Sequence, residues 1–160
     1  MTDMLVKLYT LPPREGAFAA QAEQGIMIRR GLVPEKHFVM EWVERHFSRF
    51  WVSECDVAFS RQPASIWLAT HNDQLVGFAC YDTTARGFFG PTGVAESMRG
   101  RGTGTALLLA CLHAMHDIGY AYAFIGHVGP VEYYERAVGA RVIEDSTPGA
   151  YAGLLRRPSP

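Results

Sequence analysis

Arg99-Gly100-Arg101-Gly102-Thr103-Gly104, set between a strand-like segment and the helical run Thr105-Ala106-Leu107-Leu108-Leu109-Ala110-Cys111-Leu112, is the stretch that decides the fold. Glycine has no Cβ, so the backbone here can take positive φ and come close to a ligand. Successive N–H groups then converge on one point, and the unpaired donors of the following helix face the same way. The helix adds about half a positive charge at that end. Arg99 and Arg101 bring two guanidiniums suited to gripping phosphate oxygens in pairs. The segment is built for a diphosphate. A dinucleotide-binding fingerprint would space its glycines G-x-G-x-x-G and place an acid about 20 residues on. Here the spacing is G-x-G-x-G, and Ile118 to Ala123 holds no acid. A P-loop needs Gly-Lys before Ser or Thr, and the lysines of this chain are Lys7 and Lys36.

Upstream of the turn, Arg86 to Ala95 reads as a strand interrupted at Gly90-Pro91, because proline removes a ladder donor. Ser65 to Thr70 and Gln74 to Asp82 form an antiparallel hairpin across His71-Asn72-Asp73. Downstream, a helix runs from about Thr105 to Ile118 with Gly119 as its stop, and Tyr122 to Val128 is the next strand. A helix between two strands implies a parallel crossover. Gly129-Pro130 opens a short helix, Val131 to Val138, which Gly139 ends. Ala140 to Glu144 and Ala150 to Leu155 are expected to pair antiparallel and close the sheet.

Nearer the start, Leu5 to Leu11 reads as a strand stopped by Pro12-Pro13. Glu15 to Arg30 reads two ways: its alanines favour helix, while Ile26-Met27-Ile28 could be strand. From Pro34 to Phe50, the residues Phe38, Val39, Trp42, Val43 and Phe47 recur at helical steps, and a second helical stretch covers Val52 to Ser60. The fold class is α/β with a mixed sheet, in a single domain over residues 1–160.

Composition narrows the function. With 48% hydrophobic side chains and a formal net charge of -1, the chain is a folded globular one. Fifteen Lys+Arg balance 16 Asp+Glu, so nucleic acid is not expected as a partner. No window is long and apolar enough for a membrane span, and the start lacks a signal-peptide pattern. Cys55, Cys80 and Cys111 fit neither a disulfide framework nor a zinc site. The expectation is a reduced, cytoplasmic protein that binds no metal.

Arg99-x-x-Gly102-x-Gly104, preceded by Gly93-Val94 and followed by Thr105-Ala106-Leu107-Leu108, resembles the acyl-coenzyme-A motif of the GNAT superfamily of N-acetyltransferases. The likeness continues through Ala121 to Val128 and Pro130-Val131-Glu132-Tyr133-Tyr134-Glu135-Arg136-Ala137-Val138-Gly139-Ala140, and covers roughly Ser65 to Leu155. It implies a GNAT-like mixed, mostly antiparallel sheet with a parallel, splayed strand pair and flanking helices. It also implies acetyl-coenzyme A (acetyl-CoA) as cosubstrate and transfer to a primary amine by direct attack in a ternary complex. The acceptor, a small-molecule or peptide amine, is not identified by the sequence, and the family's habit of pairing makes a homodimer an expectation. Two other readings stand beside this one. One is a non-catalytic sensor of acyl-coenzyme A; the other is a longer acyl chain, with Phe78, Phe88 and Phe89 lining its pocket.

By the same resemblance, the backbone of Arg99, Gly100, Arg101, Gly102, Thr103 and Gly104 holds the pyrophosphate, with Thr105 beside it. Thr92-Gly93-Val94 pairs with the pantetheine arm, and the N–H of Thr92 or Gly93 polarises the thioester carbonyl. Tyr134 matches the family's usual general acid and also borders the cofactor. A thiol with pKa about 8.5 against about 10 for tyrosine makes full proton transfer uphill, so Tyr134 acts more as a hydrogen-bond donor. A primary amine with pKa near 10.4 must be freed of its proton, which costs ~4–5 kcal/mol at pH 7. The glutamate several members carry on the preceding strand is replaced here by Gly87-Phe88-Phe89-Gly90. The remaining candidate bases are Asp82, Glu54, Asp56 and His127.

Overall fold

A computed structural model describes residues 1–156. Its elements follow in chain order: β1 (Asp3–Lys7), α1 (Glu15–Ala22), β2 (Ile26–Arg30), α2 (Lys36–His46), α3 (Arg49–Phe59), β3 (Ile66–His71) and β4 (Gln74–Tyr81). After these come β5 (Phe88–Val94), α4 (Thr103–Asp117), β6 (Tyr122–Ile125), α5 (Val131–Val138) and β7 (Arg141–Ile143). The strands form one seven-stranded sheet in the order β2-β3-β4-β5-β6-β1-β7. Every neighbouring pair is antiparallel except β5 and β6, which run parallel across the α4 crossover. The mixed, mostly antiparallel α/β sheet expected from the sequence is the observed one.

Side chains alternate across the central strands, as the pleat requires. Phe78 and Cys80 of β4, with Ile66 and Leu68 of β3, bury against Val39 and Val43 of α2 and Cys55, Ala58 and Phe59 of α3. Ala79 and Tyr81, with Ala69, face the other way onto Leu107, Leu108, Leu112 and Met115 of α4. That is why α4 is apolar nearly all round: the sheet covers one side, and α1 together with the segment after β1 covers another. All three cysteines are buried, and burial pushes the Cys111 thiol up, as befits small core side chains.

Three expectations need correcting. The first strand ends at Lys7 rather than Leu11, because Leu8–Thr10 turns into a 3-10 helix before the proline pair. The long helix expected from Pro34 to Phe50 breaks at Phe47, and α3 begins after Ser48, whose backbone is extended at φ -137 and ψ 158. Ala150 to Leu155 forms no closing strand. Instead β1 lies between β6 and β7, pairing Met4 with Ile125 on one side and with Val142 on the other. β7 is the sheet's edge, and the chain after it turns through a 3-10 helix at Gly149–Tyr151, where Gly149 and Gly153 take φ 61 and 75, outside the extended range a strand needs. The ambiguous segment from Glu15 to Arg30 is both things in turn, α1 and then β2.

Candidate active site

Strands β5 and β6 share only two paired positions, Phe88 with Phe124 and Phe89 with Ile125. Beyond Phe89, β5 keeps β4 on one side and has a gap on the other. The β4–β5 register shifts between Ala79 and Tyr81, opposite Gly90-Pro91, where the sequence placed the interruption. After the shift, the Ala95 N–H donates to the Val76 carbonyl at 2.8 Å, and Val94, Gly93 and Thr92 stand opposite Gly77, Phe78 and Ala79. Hydrogen-bonded residues alternate in an antiparallel pair, so Gly93 belongs to the β4 ladder with Ala95. Thr92 and Val94 turn their main-chain groups into the gap. The Val94 carbonyl already accepts from Arg99 Nε there, at 3.3 Å.

The gap leads straight to the glycine turn. Gly100 and Gly102 have φ 76 and 81, the left-handed region that side chains with a Cβ avoid. Gly102 caps α4, and Thr103 to Thr105 form its first turn. One cavity of about 320 Å³ lies over this turn, lined by Arg99, Gly100, Gly102, Gly104 and Thr105 among others. A second, of about 410 Å³, continues along Thr92, Gly93 and Val94 to an aromatic inner wall. Val94, Arg99, Gly104 and Tyr133 line both, so the two are one cleft.

The inner wall is built by Phe47, Trp51, Phe89 and Tyr134. Gly93 makes room for it: a Cβ there would sit 2.4 Å from the Phe47 ring. Phe47 in turn packs on Trp51 and Phe78, with ring centroids 4.9 and 5.9 Å apart. Of the phenylalanines expected to line a long-acyl pocket, Phe89 reaches the cleft, Phe78 is fully buried beneath it, and Phe88 stacks on Phe124. Tyr134 is 8% exposed and lines the inner cavity; burial, then the neighbouring Tyr133, push its hydroxyl up to about 12. Tyr133 also faces the cleft, its hydroxyl 3.1 Å from Thr105 Oγ1. Its role was not legible in the sequence, since adjacent helical residues ordinarily diverge.

The candidate bases scatter. Asp82 is buried and braces its own loop, accepting from the Gly87 N–H at 2.7 Å and from the Tyr120 hydroxyl at 3.0 Å. His127 is exposed with φ 57, its ring edge-on to Tyr151 and its N–H donating to Asp3 Oδ1 at 2.9 Å. Asp56 pairs with Lys36 on the outside of α3. Glu54 is different. It stands one turn beyond Trp51 on α3, half-buried, with the Thr84 hydroxyl donating to its carboxylate. Burial raises its pKa above the ordinary carboxylate value, and the Thr84 bond offsets only part of that. Arg101, expected to grip phosphate, is exposed and lines neither cavity, whereas Arg99 lines both. Among the described residues, no cluster of His, Cys, Asp or Glu is placed to hold a metal ion, and no helix is long and apolar enough to cross a membrane.

A mixed sheet that opens between two parallel strands, with a glycine turn heading a buried helix at the opening, is the architecture of GNAT-type acetyltransferases. The model of the acetyltransferase (GNAT) family matches residues 34–140, more than half of the chain, and the protein belongs to that family. No curated protein matches it in sequence. Among solved structures, it is similar to a GCN5-related glucosamine N-acetyltransferase region of a fungal multi-domain β-N-acetylglucosaminidase, with TM-score 0.72 and 14% identity over 89% of this chain and 19% of that one. A GCN5-related N-acetyltransferase from Sphaerobacter thermophilus gives TM-score 0.65 and 23% identity over 89% of this chain and 48% of that one. N-acetylglutamate synthase from Neisseria gonorrhoeae, solved with coenzyme A and N-acetyl-glutamate, gives 0.51 and 18% over 69% and 27%. The chain spans less than half the length of each of these structures. At such identities the likeness is one of fold.

Proposed function

We propose that the protein transfers an acetyl group from acetyl-CoA to the primary amine of a small-molecule or peptide acceptor, by direct attack within a ternary complex. The observation that carries this reading is the continuous cleft. An unpaired strand edge, Thr92 to Val94, runs into a turn whose glycines bare the N–H groups at the head of α4. A pantetheine arm carries amides that can complete such an edge, as a neighbouring strand would. A diphosphate suits the N–H groups of Gly102 to Thr105 and the guanidinium of Arg99.

The reacting groups then follow from position. The Thr92 N–H, turned to the gap just past the bulge, stabilises charge developing on the thioester oxygen; such a donor is typically worth ~3–4 kcal/mol. Tyr134, whose hydroxyl stays protonated at any working pH, donates to the sulfur as it leaves. Full proton transfer from so weak an acid to a thiolate would be uphill by several pK units. Glu54, a residue that lines neither cavity and whose pKa burial raises, takes the amine's proton through a bridging water.

Glu54→Gln tests that assignment with two opposed signs. The variant is expected to lose about 10²-fold in kcat at pH 7 and the acid limb of the rate profile. Its stability should rise. A carboxyl whose folded pKa lies above its unfolded value binds more protons when folded. The wild type therefore loses stability as pH climbs from the unfolded pKa through the folded one, and the neutral amide escapes that loss. Urea melts at pH 4 and pH 8 would show the two proteins converging at the acid end. A variant less stable at pH 8 would mean that Glu54 is a structural ion.

The overall reading is checked by calorimetry with acetyl-CoA and by an amine panel read through released thiol. No binding at millimolar cofactor rejects it. Binding without turnover on aminoglycoside, polyamine, amino-acid or peptide amines favours the sensor. Faster turnover with longer acyl donors changes the acyl group.

A further inference from the structure

Gln21, on α1, is buried to 1% exposure, and both ends of its amide reach the glycine turn. Its Nε2 donates to the Arg101 carbonyl at 2.8 Å, and the Thr103 hydroxyl donates to its Oε1 at 2.7 Å. The chemistry fixes the amide's orientation: a carbonyl can only accept, so the nitrogen must face Arg101, and a hydroxyl can then serve the oxygen. Gln24, just past α1, adds a second donor to the same carbonyl at 3.1 Å. Thr103 is as buried as Gln21, so its hydroxyl is committed to this bond and only its backbone is available to a ligand. The brace comes from outside residues 34–140, the stretch that carries the family match.

The consequence lies in the peptide plane. The C=O and N–H of a trans peptide point in opposite directions. Holding the Arg101 carbonyl at the back of the turn therefore aims the Gly102 N–H outward, into the cavity that Gly100, Gly102 and Gly104 line. Without that hold, the 101–102 peptide is freer to rotate, since Gly102 on one side of it tolerates either sign of φ. We propose that Gln21 is a positioning residue for coenzyme A: it locks the 101–102 peptide so that the first N–H of the diphosphate cradle is aimed before the ligand arrives. The inference rests on the coenzyme A reading above.

The experiment is calorimetry with coenzyme A on wild type, Gln21→Leu and Thr103→Val, each checked by thermal melting. Gln21→Leu keeps the bulk and removes both hydrogen bonds. Its Kd should rise about tenfold with binding stoichiometry unchanged, the size expected for one charge-assisted hydrogen bond. A role in folding alone would lower the stoichiometry and the melting temperature and leave Kd where it was; that result overturns the proposal. Should Gln21→Leu not fold, Thr103→Val decides alone, because it leaves Gln21 in place but unanchored: a raised Kd supports the lock, and an unchanged one rejects it. Wild type that does not bind coenzyme A at all overturns the functional reading as well, whereas wild type and variants that bind alike overturn only the role of Gln21.

Discussion

Tyr134→Phe is expected to lower kcat by about 10²–10³-fold while Kd for coenzyme A stays within about twofold. The reason is the isolation of one atom. The ring packs edge-on against Phe89 and Tyr133, at 6.5 and 4.9 Å between centroids, and phenylalanine keeps that packing. Among the described residues, the Tyr134 hydroxyl has no hydrogen-bond partner, in contrast to Tyr133, which is held to Thr105. Removing it therefore strands no neighbour and should leave stability within about 0.5 kcal/mol. What disappears is the donor available to the leaving sulfur. With the hydroxyl pushed up to about 12, the wild type should show no basic limb from this tyrosine below pH 11. Steady-state rates with thiol detection, paired with calorimetry, measure both halves. An unchanged kcat would assign Tyr134 to packing and hand the donor role to the adjacent Tyr133.

Phe78→Ala should destabilise the fold by about 3–5 kcal/mol, a large share of the ~5–15 kcal/mol that holds a domain of this kind together. Phe78 is fully buried and touches three rings from the helices above it, with centroids 5.9 Å to Phe47, 6.1 Å to Trp51 and 6.2 Å to Trp42. Phe47 and Trp51 are also the inner wall of the cleft, so their support and the site's shape fail together. Denaturant melts give the first effect, and kcat/KM at a temperature where the variant remains folded gives the second. Phe50→Ala, at a ring 57% exposed in the first turn of α3, is the control and should fall within about 0.5 kcal/mol of wild type. If both substitutions cost alike, the aromatic stack is not what anchors α2 and α3.

How much of this was legible in the sequence differs from element to element. The glycine turn could be read because its meaning is local: positive φ, bare N–H groups and a helix start are written within six residues. The bulge at Gly90-Pro91 was readable for the same reason, since a missing donor cannot pair wherever it sits. The place of β1 was not. A five-residue strand carries no mark of its partners, and β1 pairs with residues more than a hundred positions away. The strand expected at 150–155 failed for a local reason: a 3-10 helix at Gly149–Tyr151 and positive φ at Gly153 break the extended run. Glu54 was visible as one acid among several; its burial and its bond to Thr84 separate it from Asp56, exposed and paired with Lys36 two residues on. Gln21 gave no signal, because a glutamine on a short alanine-rich helix looks solvated until the fold folds it under the turn.

The position of β1 bears on how the protein is made. Residues 3–7 are made before the residues they pair with, and they need 122–125 and 141–143 before either edge can be satisfied. Met4 and Val6, both fully buried in the fold, must wait uncovered until more than a hundred further residues have been made. That part of the sheet can then only zip up over long loops, which slows assembly and leaves an adhesive strand for chaperones to guard.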